Sequence, residues 1–142
     1  MMETVQNSFL SEIGIKKDTL TNPVEFIQRV RKGISGEVIK NTIKLLDNRE
    51  VMIRILGTTS GNLSRTFQRK QMPSLVSEEM LDTIRLYGYA MDVFGDLYLV
   101  KEWMKTPITA LAGEKPESLL DTFEGRQWIG DVLRKIEYGE FS

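Results

Sequence analysis

Apolar residues in this chain recur at spacings of three and four, and no run alternates apolar with polar long enough to make a half-buried strand. That periodicity restricts the fold more than any other feature, because only helices can gather such residues on one face. The clearest case follows Ser77, where Met80, Ile84, Tyr87, Met91 and Phe94 succeed one another by four and three before Gly95. Ser77 reads as the cap of this longest helix, and Glu78, Glu79 and Asp82 as acids that suit the positive end of the helix dipole. The expected fold class is all-α.

Local chemistry punctuates the rest. Asn22 and Pro23 open a helix, Asn accepting a free amide and Pro fitting the first helical position, with Val24, Ile27 and Val30 facing one way. Gly33 and Gly36 bracket a break; Val38, Ile39, Thr42, Ile43, Leu45 and Leu46 then build a second amphipathic helix ending near Asp47. Asn48 reads as the next cap, ahead of a short helix with Val51, Met52, Ile55 and Leu56 that Gly57 closes. Ser60 or Asn62 starts another, with Leu63 and Phe67 as an i,i+4 pair and Pro73 as its limit. After Gly95, Asp96 restarts the chain into residues 97–104, which are apolar on nearly all sides, include Trp103 and belong at the centre of the fold; Thr106 and Pro107 end that helix. A loop through Gly113, a helical turn over residues 116–120 and the stretch from Thr122 to Gly125 lead to the last helix. Its core face is expected to carry Trp128, Ile129, Val132, Leu133 and Ile136, with Asp131 and Lys135 paired on the other side. Residues 1–21 have weak periodicity and read as a loose arm.

Composition removes whole classes of function. With 142 residues, 41% hydrophobic and 27% charged, the chain fits one domain or two small lobes sharing a core. It has no cysteine, which excludes disulfides, zinc-thiolate sites and a thiol nucleophile. Histidine is absent too, and with it the commonest general base and metal ligand. No convergent motif of carboxylates, Lys or Tyr takes their place, so the expectation is a protein without catalytic residues, metal or cofactor. Nothing approaches the roughly 18 uninterrupted apolar residues of a spanning helix, and the first 20 residues lack the basic-then-apolar run of a secretory signal. No membrane partner and a cytoplasmic location are expected.

The net charge is −1, yet residues 51–77 contain no acid while Arg54, Arg65, Arg69 and Lys70 lie among them. Within residues 48–71 the order helix, tight turn, helix suits a helix-turn-helix, Gly57 allowing the turn and Leu63 locking the angle. Starting from Ser60, the second helix would present Asn62, Ser64, Arg65, Gln68, Arg69 and Lys70, residue types that contact base edges and phosphates. An ordinary helical hairpin with a solvated basic face has the same pattern. The run from Gly57 to Gly61 is no phosphate loop, since it lacks the Gly-Lys-Ser/Thr ending and follows no strand. Near the C-terminus Tyr138 and Phe141 lie beside Glu137 and Glu140; they either fold back on the core or form amphipathic anchors at an interface.

Phe94-Gly95, Trp103, Thr106-Pro107, Ala110-Leu111-Ala112-Gly113, Pro116, Leu119-Leu120, Thr122, Gly125 and Ile136-Glu137-Tyr138-Gly139, in that order, resemble the MbcA/ParS/Xre antitoxins of RES-Xre toxin–antitoxin pairs. The resemblance covers residues 33–142. It departs at Ile108-Thr109, where the family tends to have Asn, and at Ala112, where a second Gly is usual. It implies an Xre-like helix-turn-helix core over 33–94 and a small helical toxin-binding domain over 95–142, with the N-terminal arm and short helix over residues 1–32 outside it. It further implies a homodimer that binds operator DNA and a cognate RES-domain toxin that degrades NAD, the C-terminal segment covering the toxin's active-site mouth. By position, Gly125, Trp128, Tyr138, Gly139, Glu140, Phe141 and Ser142 belong to the toxin-facing segment, and the DNA contacts fall on Ser60, Asn62, Ser64, Arg65, Gln68, Arg69 and Lys70. The other reading of the same helix pair is a free-standing transcription regulator with no toxin partner.

Overall fold

The computed structural model describes residues 2–139, with side chains from Gln6 onward. Among these residues nine α-helices follow one another and no strand forms, in keeping with the all-α expectation; the sole extended pairing is an isolated bridge between Ile108 and Glu114. The helices are α1 (Met2–Ile13), α2 (Lys17–Thr21), α3 (Pro23–Lys32), α4 (Gly36–Leu46), α5 (Arg49–Leu56), α6 (Leu63–Phe67), α7 (Ser74–Phe94), α8 (Leu97–Met104) and α9 (Phe123–Glu137).

Helix α7 organises the molecule. Its 21 residues make a rod about 31 Å long, and α1, α3, α5, α8 and α9 all pack against it. Met80, Ile84, Tyr87 and Met91 are buried along it as the period requires, while Phe94 is half-buried and meets Trp103 at a tilt, ring centroids 5.6 Å apart. The start of α7 differs from expectation. The helix begins at Ser74 behind Pro73, so Ser77 lies a turn inside it, fully buried. There the Ser77 hydroxyl accepts from the Ile34 amide at 3.0 Å and donates to the Met72 carbonyl at 3.4 Å, tying α7 to the entry of α4.

Several cap readings hold. Asn22 Oδ1 accepts from the Val24 and Glu25 amides, Asp47 ends α4 and Gly57 ends α5 in left-handed conformations, and Asp96 caps α8 through the Tyr98 amide. Asn48 is different: its side chain makes no capping bond and is buried, Nδ2 donating to the Tyr87 hydroxyl at 3.1 Å. Burial raises the pKa of that hydroxyl well above its ordinary value, outweighing the Asn48 bond.

Tertiary packing overrides four further expectations. Residues 2–21 are no loose arm: α1 and α2 bury Phe9, Leu10, Ile13, Ile15 and Leu20, with α1 lying on α7 and α4. On α3 the buried residue is Phe26, over whose ring the Arg85 guanidinium lies at 4.3 Å, while Val24 and Ile27 are exposed. Helix α8 is peripheral. Only Val100 and Met104 are buried, and Tyr98 and Leu99 face outward, because eight residues covering one edge of α7 leave the opposite side uncovered. On α9 the covered stripe is Ile129, Val132 and Leu133, with Ile136 at its edge, whereas Trp128 is 38% exposed on the flank. Asp131 also meets Arg134, one turn on, a pair not expected from sequence.

Candidate functional site

Two surfaces carry the residues singled out by sequence. The first lies at α5–α6. A 3₁₀ turn (Ser60–Asn62) precedes α6, and Thr59 caps that turn by accepting from the Asn62 amide, the role expected of Ser60 or Asn62. Leu63 is buried early in the second helix, as the tight turn needs. The helix itself stops at Phe67, so Gln68, Arg69 and Lys70 leave it on a turn. The cause is backbone pairing with the segment before α4: the Gly36 amide donates to the Arg69 carbonyl and the Met72 amide to the Ile34 carbonyl, both at 2.8 Å. A Cβ on Gly36 would lie 2.0 Å from the Thr66 carbonyl oxygen, so only glycine lets α4 approach α6 this closely.

Ser60, Asn62, Ser64, Arg65, Gln68, Arg69 and Lys70 are all exposed. Ser60 is held from below, its hydroxyl accepting from Arg49 at 2.8 Å. Arg54 leaves the basic set: it pairs with Asp121 at 3.3 Å and donates to the Ser118 carbonyl. Arg65, Arg69 and Lys70 form no ion pair among the described residues.

The second surface is the outer side of α9. Thr122 caps the helix by accepting from the Gly125 amide at 2.9 Å. Gly125 is buried, and a Cβ there would fall 1.9 Å from the Leu119 carbonyl oxygen, so this residue seats α9 on the preceding turn and offers no surface of its own. Trp128 and Tyr138 are exposed, Tyr138 at 72%, so Tyr138 does not fold back on the core. Gly139 takes φ +67 just past the helix. Glu140, Phe141 and Ser142 lie outside the described residues.

What holds this face in place was not singled out by sequence. Arg126 is 4% exposed. Its Nε donates to Asp82 at 2.6 Å, its Nη2 to Glu79 at 2.5 Å and its Nη1 to the Leu120 carbonyl at 2.8 Å, so one guanidinium binds α9, α7 and the turn before α9. Glu79 and Asp82 therefore serve as ion-pair partners and not as acids of a first turn. The signal was available: Arg126 stands three residues before Ile129 and seven before Leu133, in register with the apolar stripe. A second tie joins the far end of α9 to α7, where the Tyr89 hydroxyl donates to Glu137 at 2.7 Å. Loss of solvent, reinforced by that bond, raises the Tyr89 pKa well above its ordinary value and keeps the donor proton in place.

Among the described residues no group of three or more Asp or Glu is arranged to hold a metal ion, and no helix is long and apolar enough to cross a membrane. Residues 90–139 match the Antitoxin Xre/MbcA/ParS C-terminal toxin-binding domain. The match begins in the last turn of α7, ahead of the boundary expected at residue 95, and runs through α8 and α9. Over longer spans the chain is similar to three curated proteins. It is 31% identical over 121 residues to an antitoxin Xre of Yersinia enterocolitica, covering 82% of this chain and 80% of that one. It is 27% identical over 132 residues to a Prs ADP-ribosylating antitoxin of a Sphingobium species, covering 85% and 83%. A further antitoxin Xre, of Photorhabdus laumondii, is 32% identical over 90 residues, 62% of this chain and 61% of that one. The toxin-binding match takes in Arg126 and the exposed Trp128 and Tyr138, and the chain belongs to the Xre-type antitoxin family.

Proposed function

We propose that this chain neutralises a cognate RES-domain toxin that degrades NAD, by laying the outer side of α9 and the segment beyond Gly139 over the mouth of the toxin's active site. The observation that carries the reading is the exposure of Trp128 and Tyr138 on a helix that Arg126 locks in place. Aromatic side chains left in water on a rigid support are characteristic interface anchors, because little entropy is lost when a partner covers them. Inhibition on this reading acts by blocking access. Glu137 and Glu140 suit a basic rim around a site that receives an anionic dinucleotide. Gly125 shapes the approach, while Trp128, Tyr138, Gly139, Glu140, Phe141 and Ser142 supply the contact.

Deleting residues 138–142 tests this in cells expressing the neighbouring toxin gene. The shortened chain should fold, since Tyr138 and Gly139 are exposed, and should no longer protect; protection at the wild-type level refutes occlusion. Because one relative is named a Prs ADP-ribosylating antitoxin, toxin action is read both as loss of NAD and as transfer of ADP-ribose to protein.

The second half of the proposal is autorepression by a homodimer bound to operator DNA through the α5–α6 surface. Its support is the acid-free stretch whose Arg65, Arg69 and Lys70 remain unpaired among the described residues. Exposed Tyr98 and Leu99 on α8 are available for the contact between copies. Replacing Arg65 and Arg69 with Ala should weaken operator binding and lower its salt slope by about 1.8, at roughly 0.9 per phosphate contact. An unchanged gel shift refutes it. The same basic face also suits a regulator acting without a toxin; a chain that binds its own promoter but retains no neighbouring gene product in a pull-down decides for that reading.

A further inference from the structure

Helix α4 presents a second row of cations beside the candidate DNA-reading surface. Its buried side carries Val38, Ile39, Thr42, Ile43 and Leu46, which leaves Lys40 and Lys44 on the exposed side, one turn apart. These two lysines, with Asn41, form one wall of a groove whose other wall is Ser64, Phe67 and Gln68. The walls are fixed relative to one another: Gly36 holds α4 against the Thr66 and Phe67 carbonyls, and the Gly36 amide is bonded to the Arg69 carbonyl. Neither lysine forms an ion pair among the described residues, although Glu37 stands at one end of the groove and Glu12 borders Lys44 on its far side. Among the described residues five other cations are neutralised within the chain. Arg54, Arg85, Lys105, Arg126 and Arg134 each meet a carboxylate.

We propose that the α4–α6 groove seats one strand of a DNA duplex, Lys40 and Lys44 neutralising backbone phosphates next to the bases read from α6. The proposal rests on the DNA-binding reading above and extends its footprint to a helix outside the helix pair. Charge is the argument for this occupant. Lys40, Lys44, Arg65, Arg69 and Lys70 line adjacent surfaces without intramolecular partners, and such a row of free cations is the electrostatic footprint of a polyanion. Lysine suits the role because an ammonium on a flexible stem binds phosphate as a point charge and reads no base.

The test is binding of the full chain to a duplex spanning its own promoter, measured across 50 to 200 mM salt for the wild type and for the Lys40→Gln/Lys44→Gln double variant. Both side chains are exposed, so an unchanged thermal melt is expected and serves as the folding control. The variant should lower the salt slope by about 1.8, so the wild type's advantage shrinks about 12-fold over that range. Its preference for the promoter duplex over an unrelated one should survive, which separates phosphate contacts from base contacts. A wild type that binds while the variant shows the same slope overturns the groove and leaves the α6 reading standing. A wild type that binds no duplex at all overturns both.

Discussion

Replacing Arg126 with Ala removes the one buried guanidinium among the described residues. Three bonds disappear together: to Asp82 at 2.6 Å, to Glu79 at 2.5 Å and to the Leu120 carbonyl at 2.8 Å. Breaking a buried pair from one side typically costs about 3–5 kcal/mol, because the remaining charge is stranded. The partners here moderate that figure. Glu79 is 43% exposed and can rehydrate, and Asp82 keeps Arg85 at 2.7 Å. The expected loss is therefore about 3 kcal/mol, at the lower end of the range, equivalent to a fall in Tm of roughly 10 °C for a domain of this size. Urea denaturation followed by circular dichroism measures it. The contrast is Arg134→Ala, which breaks an exposed pair with Asp131 and should cost no more than about 0.5 kcal/mol. Replacing all three members with uncharged residues of similar shape (Arg126→Met, Glu79→Gln, Asp82→Asn) should recover much of the loss, since no buried charge is then left unpaired and Arg85, 47% exposed, can rehydrate. A loss below about 1 kcal/mol for Arg126→Ala would put this cluster with ordinary surface pairs and refute the claim that it locks α9.

Other perturbations separate local strain from packing. Gly125→Ala should destabilise by about 2–3 kcal/mol, against the usual gain for Gly→Ala in a helix, because its Cβ would overlap the Leu119 carbonyl; unfolding free energies equal to wild type would contradict the close approach. Ala112 occupies left-handed backbone at φ 58, so Ala112→Gly should relieve about 1–2 kcal/mol of strain less about 0.5–1 for added freedom in the unfolded chain. The net gain expected in a urea titration is about 0.5–1 kcal/mol, and a loss would refute the strain.

What could be read from sequence was decided within a few residues. Asn22-Pro23, Asp47, Gly57, Gly95 and Asp96 mark helix ends because capping and left-handed turns depend on the atoms of adjacent residues. What could not be read was decided by neighbours distant in the chain. Ser77 has the composition of a cap, yet Ile34, 43 residues away, makes it an interior bridge. Residues 97–104 look central on hydropathy, but an amphipathic core face and an exposed apolar side are indistinguishable until α7 is placed. Phe9, Leu10 and Ile13 carry helical spacing among polar residues, and the surface of α7 and α4 supplies the burial that propensity does not. Composition leaves Tyr138 either folded back or outward, and only the placed α9 shows it exposed, with Trp128 on the same helix's flank. Arg126 was missed because charged residues are ordinarily assigned to the surface, although its register with Ile129 and Leu133 pointed inward.

The claim that the C-terminal segment closes the toxin's active site is tested most directly by the purified toxin's NAD turnover at saturating antitoxin, full-length against a chain lacking residues 138–142. Co-elution on a sizing column establishes that each antitoxin is bound. The account predicts that the full chain abolishes turnover and that the shortened chain, still bound through Trp128 and the rest of α9, leaves most of it. A bound, shortened chain that inhibits as completely as the full one would contradict occlusion by this segment.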